Sequence, residues 1–149
     1  MSPQVGKRFC GFTLVEILIV VVILAILAAI VLPSFTNAAE SARETATRSL
    51  LKSVRIQLEL YKSQHNDDWP LLSQLWDNLM QPTDTDGNID PAGERGPYLR
   101  KEPHNQFNKS QTVVAPGAAT ASDGWEYDEA TGEFTAVGFD EVTGIYTPP

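Results

Sequence analysis

Glu16 is the first residue in this chain whose type and placement demand a chemical explanation. It follows the basic pair Lys7-Arg8 and stands directly in front of sixteen uncharged residues, Ile17 to Leu32. A carboxylate beside an apolar segment of that length is costly in lipid, so it points to a specific role and a specific partner. A second group comprises the nucleophiles and bases. There is one cysteine, Cys10, and there are two histidines. His65 falls at the end of a predicted helix, where a polar residue suits the C-terminal dipole. His104 falls in a proline-bounded loop as a solvated residue, and neither histidine has a zinc-type spacing to other ligands. No serine sits in an elbow motif. No catalytic residue is assigned and no enzymatic activity is expected. The third group is Asp84-Thr85-Asp86-Gly87-Asn88-Ile89-Asp90, whose alternating oxygen side chains match the front half of a calcium loop. A full loop needs a bidentate acid at its twelfth position, which here is Arg95, and Glu94 falls one residue short. Acidic turns rich in Gly and Asn also form without metal. No metal ligands and no cofactor are assigned, and calcium stays open at this turn.

Composition narrows the function classes. The chain has 149 residues and a formal charge of −8. Without Lys7 and Arg8, nine basic residues face nineteen acidic ones, a balance of −10. A surface that neutralises phosphates needs clustered Lys and Arg, so no direct nucleic-acid contact is expected. The apolar run also takes much of the hydrophobic content away from any water-soluble core, which leaves room for one small domain.

The elements that position these residues divide the chain into four stretches: 1–11, short and polar with its cations near the apolar run; 12–36, apolar; 37–68, amphipathic; and 69–149, mixed. Phe12 to Phe35 carries only Glu16 as a charge, and its 24 helical residues reach roughly 36 Å, enough to span a bilayer once. By the positive-inside tendency Lys7 and Arg8 stay in the cytoplasm and the remainder faces outward. Pro33 is expected to kink the helix rather than end it, because helical periodicity resumes at once. Ala39, Ala42, Ala46, Leu50, Val54, Leu58 and Tyr61 follow steps of three or four and define one helical face. Glu44 with Arg48 and Arg55 with Glu59 are expected to pair at i, i+4. Continuous helix from Phe12 to Asn66 covers 55 residues and roughly 80 Å, too long for so small a domain to cover.

The combination Lys7-Arg8, Gly11, Phe12-Thr13-Leu14-Val15-Glu16 and the apolar run resembles the processing site of type IV prepilins and type II secretion pseudopilins. Pro33 lies where those proteins usually carry a proline, 22 residues into the chain that begins at Phe12. The resemblance implies a leader of residues 1–11, a cut between Gly11 and Phe12 by a prepilin peptidase, and N-methylation of Phe12. It implies a type IV pilin-like α+β fold, in which one long N-terminal helix, membrane-spanning in its first half, packs on a small antiparallel β-sheet. It further implies a single-pass protein of the bacterial inner membrane with a periplasmic head, assembled as a helical homo-oligomer with the secretion platform and other pseudopilins. In such a filament Glu16 of one subunit can meet the Phe12 amine of a neighbour and so help set axial register. A type IV pilin or minor pilin for adhesion, motility or DNA uptake is the alternative within that family. Two blander readings stay open: a secretory signal peptide cut near Ala38-Ala39, and a plain anchor. The mature N-terminus separates them: Phe12, a residue near Glu40, or no cut.

The head is expected to contain a short helix over 71–80, with Leu72, Leu75, Trp76 and Leu79 inward and Pro70 in its first turn. Gly96-Pro97-Tyr98-Leu99, with Pro103 beyond, is similar to a loop of the major pseudopilin of type II secretion. That family also binds calcium through a C-terminal acidic loop. Only Asp140 and Glu141 remain near that region, so its ligands do not transfer. Gln111 to Ala115 predicts a short strand. Trp125, Tyr127, Phe134 and Ala136 alternate about the turn 128–132 and predict a hairpin whose aromatic face packs on the Leu50 to Tyr61 stripe.

Overall fold

The computed structural model describes residues 12–149, and residues 1–11, the stretch expected to be a leader, lie outside it. The chain divides into two compact units, one ending at Glu40 and the other Ser41–Pro149. Helix α1 is assigned over Leu14–Gln64. Pro33 falls inside α1, so the proline does not terminate it. In the first unit every described side chain of α1 from Leu14 to Val31 is exposed.

In the second unit α1 turns one stripe inward. The buried positions are Thr47, Leu51, Val54, Leu58 and Tyr61, with His65 just past the helix end, spaced four and three in alternation as a helical face requires. Leu51 rather than Leu50 is the fully buried leucine, and Leu50 packs at the edge. Ala42 is exposed. A 3₁₀ turn, Leu72–Gln74, leads into α2, Leu75–Met80. Pro70 precedes both, and α2 buries Leu75 and Leu79 while Leu72 and Trp76 pack partly buried against the core.

Three strands complete the head: β1 Val113–Val114, β2 Trp125–Tyr127 and β3 Phe134–Ala136, in that spatial order. β2 and β3 form the predicted hairpin, with Trp125 opposite Ala136 and Tyr127 opposite Phe134. Gly132 closes its turn at φ 76°, and a Cβ there would run into the Trp69 ring. The sheet is mixed rather than wholly antiparallel, because β1 runs parallel to β2. Parallel neighbours need a connection longer than a hairpin. The small-residue loop from Pro116 to Ser122 supplies it and folds back through bonds from Ala118 N to Ala115 O and Asp123 N to Thr120 O.

The core joins elements that could not bury themselves alone. Leu51, Val54, Leu58 and Tyr61 of α1 meet Leu75 and Leu79 of α2 and Trp125, Tyr127, Phe134 and Ala136 of the sheet. Burying the aromatic tips requires partners for their polar atoms. Trp125 Nε1 donates to Pro103 O at 3.0 Å and Tyr127 Oη to Pro70 O at 2.9 Å. Burial raises the Tyr127 phenol pKa, so it stays a neutral donor.

Candidate functional site

The N-terminal site is built on the first turn of α1. Thr13 immediately precedes the helix, and its Oγ1 accepts the Glu16 backbone N–H at 3.2 Å. Thr13 is therefore the N-cap, and Thr13-Leu14-Val15-Glu16 has the S/T-x-x-E spacing of a capping box. The sequence carries that signal in plain form, as the spacing of Thr13 and Glu16 within the apolar approach to the helix. Glu16 also stands in the first turn, where the positive end of the helix dipole favours a carboxylate. Phe12 lies just before the cap, 72% exposed. Gly11, the other half of the expected cleavage pair, lies outside the described residues. The cap fixes where the helix begins, so Phe12 and the Glu16 carboxylate are held about one helical turn apart. From Leu14 to Val31 the helix is long and apolar enough to cross a membrane, and none of these 18 residues is buried.

His65 was expected to be a helix-terminal polar residue. It is buried, with Nδ1 2.7 Å from Tyr61 O and Nε2 2.8 Å from Thr83 Oγ1. The imidazole stacks on Tyr61 with ring centroids 3.7 Å apart, so it ties the end of α1 to the following loop. Its partner Thr83 is distant in sequence, and for that reason its role could not be read from local pattern.

The acidic turn closes on itself. Asp84 Oδ1 accepts the backbone N–H groups of Asp86 and Asn88, each at 2.9 Å, and Oδ2 accepts Asn88 Nδ2 at 3.0 Å. The Asn88 side chain first, then the backbone bonds, hold the Asp84 carboxyl below its ordinary 3.8. Among the described residues no three His, Cys, Asp or Glu side chains are placed to hold a metal ion. Asp140 likewise accepts the N–H groups of Val142 and Thr143.

Of the two ion pairs expected at i, i+4, one forms in the helix and the other is replaced by a longer-range pair. Glu44 and Arg48 pair at 3.1 Å as predicted. Arg55 turns away from Glu59 and reaches the C-terminal loop, where Nη1 donates to Glu141 Oε2 at 2.9 Å. Its Nε and Nη2 donate to Phe134 O at 2.9 and 2.7 Å. A guanidinium fork that can satisfy a carboxylate and a strand carbonyl together outweighs one flexible, exposed helix pair.

Comparisons with known proteins find relatives of this chain by sequence. Residues 6–32 match the family described as "Prokaryotic N-terminal methylation motif". The type II secretion system core protein G of Pseudomonas aeruginosa is 36% identical over 113 residues, covering 74% of this chain and 77% of that protein. The protein of the same name from Vibrio cholerae is 30% identical over 135 residues, covering 85% and 89%. The one from Dickeya chrysanthemi is 30% identical over 121 residues. No solved structure matches the chain. With the methylation motif, the exposed apolar helix and a small α+β head in one polypeptide, the chain belongs to the type II secretion system core protein G family.

Proposed function

We propose that this chain is a structural, non-catalytic subunit of a type II secretion pseudopilus, made as a prepilin and assembled from the inner membrane into a periplasmic filament that aids protein export. The observation that carries the reading is the methylation motif over residues 6–32 laid on an apolar segment that finds no burial within its own chain. A helix that is apolar all round needs lipid or other subunits around it. The prepilin peptidase cuts between Gly11 and Phe12 and methylates the new Phe12 amine. Lys7 and Arg8 keep the N-terminus cytoplasmic, and the head lies in the periplasm. Pro33, inside α1, kinks the helix. The partners are further copies of this chain, other pseudopilins and the secretion platform, and the domain requires no resident cofactor.

In the filament the Glu16 carboxylate of one subunit pairs with the Phe12 amine of a neighbour. Pairing offsets part of the cost of keeping a charge in an apolar layer, whereas an unpaired carboxylate remains costly. The test is Glu16→Ala in cells that carry the secretion machinery. Mass spectrometry should find the chain beginning at Phe12 and one methyl group heavier in wild type, with cleavage retained in the variant. Filament assembly and export should be lost. Normal filaments from Glu16→Ala would refute the pairing, and a mature N-terminus elsewhere would refute the prepilin reading.

A further inference from the structure

The C-terminal loop of the head, residues 138–146, is held to α1 by two arginines. Gly138 and Gly144 turn at φ 73° and 77°, and Phe139 bridges Tyr146 in antiparallel fashion, so the chain doubles back on itself. Arg48 and Arg55 stand seven residues apart in α1, which is about two turns and therefore one face of the helix. Arg48 Nη1 donates to Glu141 O, and its guanidinium carbon lies 5.5 Å from the centroid of the Phe139 ring. Arg55 forks onto the Glu141 carboxylate, Nη1 to Oε2 and Nη2 to Oε1. Glu44 completes the set. It pairs with Arg48, and a Cβ on Gly144 would stand 2.4 Å from its Oε1. Helix and loop thus meet through a continuous chain of charge, Glu44 to Arg48 to Glu141 to Arg55.

Calcium is the ion that the family resemblance implies for a C-terminal acidic loop, and it takes about six to eight oxygen ligands. The donor set of this loop does not fit it. Asp140 Oδ1 accepts the Val142 and Thr143 N–H groups at 2.7 and 3.2 Å. Asp140 O accepts the Gly144 N–H at 2.8 Å, and Ile145 O accepts the Asp140 N–H at 3.0 Å. Both carboxylate oxygens of Glu141 face Arg55, and its carbonyl oxygen faces Arg48. A calcium ion at these oxygens would have to displace two guanidiniums or sit beside them against like charge. A guanidinium fits where the metal does not, because its planar fork of donors matches a carboxylate and a carbonyl at once.

We propose that Arg48 and Arg55 take the place of a calcium ion in this chain: they gather Glu141 and the loop backbone onto α1, and the 138–146 loop closes without the metal. A bound ion stabilises only by mass action, in proportion to its free concentration over its dissociation constant. A cation carried by the chain's own helix has no such dependence. Closure of the loop is therefore set by the sequence and not by the calcium content of its surroundings. The inference concerns the head alone, and it can fail or hold independently of the Phe12–Glu16 contact.

The test uses the full chain in neutral-detergent micelles and has two arms. In the first, the wild-type chain is compared in calcium chloride and in EGTA at constant ionic strength. The Val142 and Gly144 amide resonances should not move, and the denaturation midpoint of the head should be the same in both. Saturable movement of these resonances with calcium, or a head that loses stability in EGTA, would overturn the proposal. In the second arm, hydrogen exchange is followed at the Gly144 amide, which donates within the loop. Arg48→Met and Arg55→Met should each speed that exchange by about three- to tenfold. Arg48→Lys and Arg55→Lys should fall between, since an ammonium keeps the charge and lacks the fork. Lys52→Met, an exposed position between the two arginines on the same helix, should leave the rate unchanged. Wild-type exchange in both methionine variants would overturn the clamp. Where a methionine variant fails to fold, the calcium arm on the wild-type chain still decides.

Discussion

The two parts of α1 are one kind of secondary structure under two opposite burial regimes. From Leu14 to Val31 its side chains are exposed and almost all apolar, and Leu24 is 58% exposed. From Thr47 to His65 one stripe is sealed into the core while charged residues occupy other faces, and Leu58 is fully buried. Leucine is an equally good helix former in both places. Helix propensity therefore does not distinguish the two parts; the environment each one requires does. The first is satisfied only by surroundings that the chain itself does not provide, and the second is satisfied by α2 and the sheet.

The same substitution at the two leucines puts that contrast under the greatest strain. Leu58→Ala removes a fully buried side chain from the core and should destabilise the head by about 2–5 kcal/mol. Leu24→Ala should leave head stability within about 0.5 kcal/mol of wild type. Denaturant unfolding of the full chain in micelles, followed by tryptophan near-UV circular dichroism, reads the head alone, since Trp69, Trp76 and Trp125 all lie there. Similar losses from both variants would mean that the two parts are not energetically separate.

A smaller effect sharpens the same contrast from the polar side. Arg55 and Glu141 join α1 to the C-terminal loop, with side chains 39% and 33% exposed. Solvent screening at that exposure limits their coupling to about 1 kcal/mol or less. A double-mutant cycle with Arg55→Met and Glu141→Gln measures it. Arg55→Met should cost more than Glu141→Gln, because Arg55 also donates twice to Phe134 O. Equal single costs would show that the strand carbonyl contributes nothing. A coupling well above 1 kcal/mol would show that the pair is far drier than its exposure indicates.

How much of this could be read from the sequence depended on how far apart the partners were. The hairpin was legible because Trp125, Tyr127, Phe134 and Ala136 alternate around a turn that needs glycine. The span was legible because an apolar helix with one charge has few other uses. The α1 stripe was displaced by one residue at Leu50-Leu51, where two adjacent leucines offer two faces. Thr47 and His65 decide between them, and both are polar residues that a hydrophobic pattern skips. Thr47 can be buried because its hydroxyl donates to Arg43 O in its own helix, and His65 because it bonds Thr83. The parallel pairing of β1 rests on two residues, Val113 and Val114, too few for any periodicity. At the N-terminal site Glu16 announced itself by its charge, whereas Thr13, the residue that caps the turn, required the T-x-x-E spacing to be weighed for its hydrogen bonding.

Acid should separate the two regions by the mildest means. Asp84, Asp123, Asp128 and Asp140 are all held below their ordinary 3.8, and all lie in the head. For Asp128 and Asp140 the leading cause is the backbone N–H two residues on, from Ala130 and Val142; for Asp84 and Asp123 it is a side-chain donor, Asn88 and Thr120. A carboxyl whose folded pKa is depressed binds its proton more readily when unfolded. Its contribution is therefore complete above 3.8 and is lost as pH falls through the lower folded value. Head stability should be flat from neutral pH to about pH 5 and should decline below about pH 4. Asp128→Asn keeps an acceptor for the Ala130 N–H but cannot titrate, so it should shallow that decline without changing the neutral plateau by much. The apolar part of α1 carries no titratable side chain from Ile17 to Leu32, and its helicity in micelles should persist through the same acid range. Simultaneous loss of both signals would show that the head and the span unfold as one.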